Sequence, residues 1–296
     1  MATRLSLDDL DHLSVGKRVR LHRLMYEHGP GNGTLLMLPI DQGLEHGPRD
    51  FFANPDSANP DFQYNLALEG GYSGLALQYG LAQKYGKAYA GRVPLVVKLN
   101  GKTEIPSDAE SFSSCLASVE DAVALGADAV GYTLYVGSPA QDRDFAQWAT
   151  VRRDAERLGI PTIIWAYPRG EAVEAKGGKE SVWAIDYAAR VATEVGADVV
   201  KINFPTHSPT PASPKPYDTT AFSPEEGIDR VVKSAGKTLV LISGGEMETD
   251  DALLLKARQS FAAGATGLIF GRNTWQRPYA DALTLMRNLR QIALEG

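Results

Sequence analysis

The chain has 296 residues, a formal charge of −6 and a pI near 5.5, and no block of basic residues, a balance that argues against nucleic acid as a partner. No apolar stretch is long enough to span a bilayer, and the first ten residues carry acidic side chains and no apolar signal core, so a cytoplasmic protein with no membrane partner is expected.

The length suits either one large α/β barrel or two ordinary domains. Residues 6–27 carry helical periodicity and run into the breaker His28-Gly29-Pro30-Gly31-Asn32-Gly33. This N-terminal helical extension, residues 1–33, either covers the bottom of the fold or meets another copy. Short apolar runs then recur at 34–41, 72–79, 94–100, 128–136, 161–168, 198–204, 238–244 and 266–272, which predicts eight strands. Between them, apolar residues at three- and four-residue spacing predict helices over 111–125, 142–158, 181–195, 249–263 and 278–294. Cys115, the single cysteine, falls in the pattern Phe112…Leu116…Val119…Val123 and is expected as a packed helix residue rather than a nucleophile. The joints Leu125-Gly126-Ala127, Val195-Gly196-Ala197 and Ala263-Gly264-Ala265 each place glycine just past a helix, where a left-handed residue ends it. Such regular βα repetition predicts right-handed crossovers between parallel strands, and eight units favour a (β/α)₈ TIM barrel as a single domain over 1–296. Residues 205–224 interrupt the repeat with Pro205, Pro209, Pro211, Pro214, Pro216 and Pro224; such a segment is a lid, a binding loop or a plain surface excursion.

Barrel active sites lie at the C-terminal ends of strands, and polar residues gather there. The first run ends in Asp41-Gln42-Gly43-Leu44-Glu45-His46-Gly47, the third in Lys98-Leu99-Asn100, the fifth in Trp165-Ala166-Tyr167-Pro168-Arg169 and the sixth in Lys201-Ile202-Asn203. Period-two alternation puts Trp165, Tyr167 and Arg169 on one face, as it does Lys98 with Asn100 and Lys201 with Asn203. Lys201 stands inside an apolar strand, where burial disfavours the ammonium, lowers the pKa and makes the amine a nucleophile for a carbonyl. Alone, it would read as a lysine that snorkels or pairs with a carboxylate; in the company of Asp41, Trp165 and Tyr167 it reads as a catalytic amine. The seventh and eighth runs end in Ser243-Gly244-Gly245 and Gly271-Arg272-Asn273, where exposed backbone N–H groups and a guanidinium fit a phosphate. His12, His22, His28, His46 and His207 show no zinc-type spacing, and no Gly-x-Gly-x-x-Gly follows an early strand, so neither a metal nor a dinucleotide cofactor is expected.

In this order, Leu38-Pro39-Ile40-Asp41-Gln42-Gly43-Leu44-Glu45-His46-Gly47, Trp165-Ala166-Tyr167-Pro168-Arg169-Gly170, Val200-Lys201-Ile202-Asn203, Ser243-Gly244-Gly245 and Ile269-Phe270-Gly271-Arg272-Asn273 resemble the archaeal-type class I fructose-bisphosphate aldolases, which include bacterial members. The resemblance implies a cofactor-free Schiff-base aldolase that reversibly cleaves fructose 1,6-bisphosphate to dihydroxyacetone phosphate and glyceraldehyde 3-phosphate. By that likeness Lys201 is the Schiff-base lysine, Tyr167 the proton donor and acceptor, and Asp41 and Trp165 their companions. Ser243, Gly244, Gly245, Gly271 and Arg272 would hold the phosphate next to the ketone. Arg169, Lys98 and His46 complete the expected substrate-binding set, with Lys98 supplying positive charge near substrate oxygens or depressing the Lys201 pKa. A sugar phosphate is the expected ligand and a homo-oligomer the expected assembly. Other readings stay open: a related Schiff-base barrel acting on another phosphorylated ketose, either an aromatic-precursor synthase or a signalling-ketose thiolase, and, more remotely, a non-catalytic phosphate-binding barrel. The long first βα connection, 42–71, and the 205–224 insertion set the chain apart from the shorter archaeal members.

Overall fold

The computed structural model describes residues 3–206 and 210–296; His207 and Pro209, named above, lie outside them, as do Met1 and Ala2 of the N-terminal extension. Eight parallel strands close into a barrel: β1 (Leu35–Ile40), β2 (Gly74–Gln78), β3 (Leu95–Lys98), β4 (Ala129–Val136), β5 (Thr162–Pro168), β6 (Val199–Asn203), β7 (Leu239–Ser243) and β8 (Gly267–Ile269). Around the barrel the order is β1-β8-β7-β6-β5-β4-β3-β2, and β2 returns to β1 with Met37 opposite Gly74. The expected (β/α)₈ architecture is therefore present, and each strand falls within its expected run.

Side-chain alternation divides the apolar residues into two layers. Leu35, Met37, Val96, Ile163, Val199 and Leu239 point inward, while Leu36, Leu38, Val97, Ile164 and Val200 point out against the helices. Those helices are α1 (Pro60–Glu69), α2 (Tyr79–Tyr85), α3 (Val119–Ala124), α4 (Gln141–Leu158), α5 (Val182–Glu194), α6 (Pro224–Ala235), α7 (Asp250–Ala262) and α8 (Tyr279–Glu295). Gly126, Gly196 and Gly264 end three of them at φ of 74°, 88° and 89°, the left-handed region expected of them.

The inner layer continues downward into the N-terminal extension. Leu7, Leu10, Leu21, Leu24 and Met25 join the inward residues of the strands in one cluster, so the extension plugs the bottom of the barrel. Lys17 fixes it there, its ammonium 3.0 Å from Asp198 and 2.6 Å from Glu156. The expected continuous helix over 6–27 is broken, however, into a single turn Leu7–Asp9, a helix Val15–His22 and a wider π-type stretch Arg23–Glu27. Asp9 accepts from the Ser6 backbone N–H and hydroxyl at the first turn, and Arg18 donates to the Leu7 and Leu10 carbonyls across the break.

Two further expectations are corrected. The helix expected over 111–125 begins only at Val119, where Ser118 and Asp121 form a capping box. Before it, Ser114-Cys115 pairs antiparallel with Asn100-Gly101, so Cys115 is exposed on a short strand rather than packed in a helix, and burial of its thiol atom still pushes it up to about 11. For the 205–224 insertion, left open above, the described residues 210–224 pack against α5 and the segment before it. Tyr217 donates to the buried Asp186 of α5, and Ser213 donates to the Lys176 carbonyl at 3.2 Å. Among the described residues, no helix is long and apolar enough to cross a membrane.

Candidate active site

Strand ends converge on a cavity of about 330 Å³ at the C-terminal mouth. Asp41, Trp165, Tyr167, Arg169, Lys201, His46, Ser243, Gly244, Gly245, Gly271 and Arg272 all line it; of the expected site residues only Lys98 does not.

Lys201 lies level with Trp165 on β5 and with Leu241 on β7. Its amine donates to the Tyr167 hydroxyl at 2.6 Å and to the Asn203 amide oxygen at 3.2 Å, and Asn203 Oδ1 also accepts from Ser243 Oγ at 3.0 Å. Among the described residues, no carboxylate forms an ion pair or hydrogen bond with the amine. Burial therefore dominates and, with help from the nearby Lys98 charge, pulls the lysine down to about 7 against the weaker opposing pull of Asp41. Burial also pushes the Tyr167 phenol well above its usual range, aided by the Glu45 and Asp41 charges, so the hydroxyl keeps its proton. Tyr135 stacks beside it with ring centroids 6.4 Å apart and is itself raised to about 12, chiefly by burial.

Lys98 has the opposite surroundings. It is fully buried, with its ammonium 2.9 Å from Asp41 Oδ2 and 3.1 Å from Glu45 Oε1, and 4.8 Å from the centroid of the Trp165 ring. Burial alone would lower it, but the two carboxylates overcome that and hold it above its ordinary value. Asp41 shows the reciprocal effect: desolvation would raise it, yet the Lys98 ammonium holds it below the usual carboxylate value. Glu45 is raised instead, since burial and the neighbouring Asp41 charge outweigh Lys98. Lys98 itself does not line the cavity; two of its three donors go to Asp41 and Glu45, and its charge acts on Lys201, one of the two roles expected of it. Gly131 of β4 makes room for this arrangement, because a Cβ there would lie 2.8 Å from Trp165 Cζ3 and 3.0 Å from Lys98 Cδ.

On the β7–β8 side, Gly245 has φ of 74° and open space above it. Asn273 holds that loop in shape, accepting from the Glu248 N–H at 2.9 Å and donating to the Glu246 carbonyl at 2.8 Å. Arg272 opens the next helical turn, Arg272–Trp275, and faces the same space. His46, after β1, is tied to Asp50 at 2.7 Å, and on the β5 side of Lys201 Arg169 stands 5.1 Å from the Tyr167 ring centroid. A covalent amine, a protonated phenol beside it and anion-binding groups on both flanks can together hold a phosphorylated carbonyl compound and move protons around it.

Residues 35–277 match the family described as DeoC/LacD family aldolase. The chain belongs to the DeoC/LacD aldolase family. Fructose-bisphosphate aldolase class 1 of Thermoproteus tenax is 41% identical to it over 265 residues, which are 89% of this chain and 91% of that protein. The fructose-bisphosphate aldolase/6-deoxy-5-ketofructose 1-phosphate synthase of Methanocaldococcus jannaschii is 33% identical over 274 residues, 89% of this chain and 83% of that protein. Among solved structures, an archaeal fructose-1,6-bisphosphate aldolase whose catalytic lysine is covalently bound to the carbinolamine intermediate of the substrate matches with a TM-score of 0.78. It is 38% identical and covers 93% of this chain and 99% of its own.

In this DeoC/LacD aldolase, Glu45 and Tyr135 line the cavity without having been singled out in the sequence, and Asn203, expected only to share a face with Lys201, lines it too. One signal was available for Glu45, since it lies four residues after Asp41 and a helical turn brings both to one side. Nothing local marks Gly131, whose significance lies in two side chains that arrive from other strands.

Proposed function

We propose that the chain is a class I fructose-bisphosphate aldolase that cleaves fructose 1,6-bisphosphate reversibly to dihydroxyacetone phosphate and glyceraldehyde 3-phosphate through a Schiff base on Lys201. The observation that carries this reading is the Lys201 amine: buried, lowered to about 7, and touching a phenol and an amide rather than a carboxylate.

The neutral Lys201 amine attacks the C2 carbonyl and gives a carbinolamine. Tyr167 donates its proton to the departing hydroxyl; water leaves, and an iminium faces a phenolate that its positive charge stabilises. The phenolate takes the C4 hydroxyl proton, the C3–C4 bond breaks with its electrons drawn into the iminium, and glyceraldehyde 3-phosphate leaves. Tyr167, a phenol again, protonates C3 of the enamine. A water molecule then adds to the regenerated iminium, giving its proton to the phenolate, and collapse of the carbinolamine frees dihydroxyacetone phosphate and Lys201. Asp41, ionised against Lys98, orients substrate hydroxyls, while Trp165 walls the pocket. Ser243, Gly244, Gly245, Gly271 and Arg272 hold the phosphate next to the ketone. Arg169 and Lys102, which follow β5 and β3, would meet the distal phosphate on the β5 side of Lys201, and His46 would contact substrate from the end of β1.

The two activities in the name of the Methanocaldococcus jannaschii relative favour keeping one second reading, in which the same imine serves another phosphorylated ketose. The deciding experiment combines a cleavage assay on fructose 1,6-bisphosphate with borohydride trapping by dihydroxyacetone phosphate. A stable adduct on the Lys201 peptide together with cleavage supports the proposal. An adduct without cleavage favours the second reading, and an adduct on another lysine overturns the assignment.

A further inference from the structure

The connection between β3 and α3 brings Lys102 and Asp108 to the cavity wall beside Arg169. One carboxylate there spans two cations: Asp108 Oδ1 is 2.7 Å from Lys102 Nζ, and Asp108 Oδ2 is 3.8 Å from Arg169 Nε. The cations are sunk, with side chains 20% and 19% exposed, whereas the aspartate rides outermost at 57%. Arg169 is poorly satisfied by this partner. Its buried Nε has no hydrogen bond, and its Nη1 donates to its own neighbour, the Pro168 carbonyl, at 2.9 Å. A guanidinium with an idle buried donor turned toward a cavity calls for a larger and more highly charged anion than one carboxylate supplies.

Resting on the proposed aldolase reading, we infer that Asp108 is a built-in stand-in for the distal phosphate: it occupies Lys102 and Arg169 while the site is empty, yields them to a phosphate on the substrate, and returns as glyceraldehyde 3-phosphate leaves. A phosphate dianion carries more charge than the carboxylate and has enough oxygens to fill both cations and the idle Nε. Asp108 is able to yield, because it begins a three-residue turn, Asp108–Glu110, anchored through Ser111. Ser111 Oγ donates to the Asp108 carbonyl and to Oδ1, each at 3.1 Å, and the buried Ser111 is held in turn by Ser138 Oγ at 2.7 Å. An exposed ion pair of this kind is weak and gives way to a better anion. The device tempers affinity for bisphosphorylated ketoses and speeds departure of the phosphorylated aldehyde; a ketose without the distal phosphate leaves Asp108 in place.

Asp108→Asn removes the competing charge and keeps the size. Its KM for fructose 1,6-bisphosphate should fall about two- to five-fold, the range an exposed ion pair supports, while its KM for fructose 1-phosphate stays within about 1.5-fold of the parent. A parallel fall for both ketoses, no fall for the bisphosphate, or a rise would overturn the inference. Titration with inorganic phosphate in an Arg272→Ala background reads the distal site without any turnover. There Asp108→Asn should bind phosphate more tightly by the same factor, and equal affinity would refute the stand-in role. If the parent chain cleaves neither ketose, the aldolase reading falls, and the phosphate titration still decides the role of Asp108.

Discussion

The bottom of the barrel buries one lysine and the top buries two, and one of the two at the top behaves unlike the others. At the bottom, Lys17 is pinned by Asp198 and Glu156 at 3.0 and 2.6 Å; at the top, Lys98 is pinned by Asp41 and Glu45 at 2.9 and 3.1 Å. Lys201 is buried as deeply as these, yet its partners are a phenol at 2.6 Å and an amide at 3.2 Å. Burial common to all three cannot explain what separates them. The carboxylates do: they keep Lys98 charged, and their absence from contact with Lys201 lets desolvation win and bring the amine to about 7. A structural cation and a nucleophile are thus the same residue type in similar dryness with different neighbours.

The sharpest way to break this comparison is Lys201→Met, which should lower cleavage on the order of 10⁴-fold or more and abolish borohydride trapping. Residual trapping at Lys98 would show that a carboxylate-paired lysine also serves as nucleophile. Tyr167→Phe comes next. It should slow cleavage about 10²- to 10⁴-fold while the imine with dihydroxyacetone phosphate still forms, and exchange of the C3 proton with deuterated water should slow with it. Unchanged exchange would move the proton traffic to Asp41 or to water.

Lys17→Met and Lys98→Met test the paired lysines directly. Each leaves buried carboxylate without its partner and should lower unfolding free energy by about 3–5 kcal/mol in urea titrations. Only Lys98→Met should also move the acid limb of kcat/KM to higher pH, because Asp41 and Glu45 would then act on Lys201 unopposed. An identical shift in Lys17→Met would mean that the bottom of the barrel communicates with the site. The smallest effect is on the parent chain itself. Its kcat/KM should rise with pH through an apparent pKa of about 7, as the Lys201 ammonium loses its proton and becomes competent. The linked stability has the same sign: between about 7 and 10.5 the unfolded lysine holds a proton that the folded one has lost, so stability climbs with pH across that window and Lys201→Met flattens the climb.

The strands were legible because each is a short apolar run closed by polar residues, and parity within strands paired Trp165 with Tyr167 and Lys201 with Asn203, which barrel closure brings to one cavity. The helix over 111–125 was misread because Phe112, Leu116, Val119 and Val123 satisfy helical spacing across a segment whose backbone instead pairs with Asn100-Gly101. Periodicity does not register a pairing partner that lies elsewhere in the chain. The same blindness hid the partners of Lys98: its carboxylates lie 57 and 53 residues away, and only folding brings them to its ammonium. The N-terminal extension stood open between plug and contact surface because amphipathic spacing shows that a face is covered without showing by what.

That plug has a bearing on how the chain is made. Leu21, Leu24 and Met25 are synthesised well before the residues that seat them, which include Leu239, Leu241 and Ile269, and the Lys17–Asp198 pair joins residues 181 positions apart. The ladder that closes the barrel likewise joins Leu35 to Gly267. Until those later residues emerge, then, this apolar segment has no place to go, and contacts of such long sequence separation form slowly. Shortening that exposed interval, by supplying the extension as a separate peptide or moving it to the other terminus, should raise the yield of refolded protein without touching a single residue of the mouth.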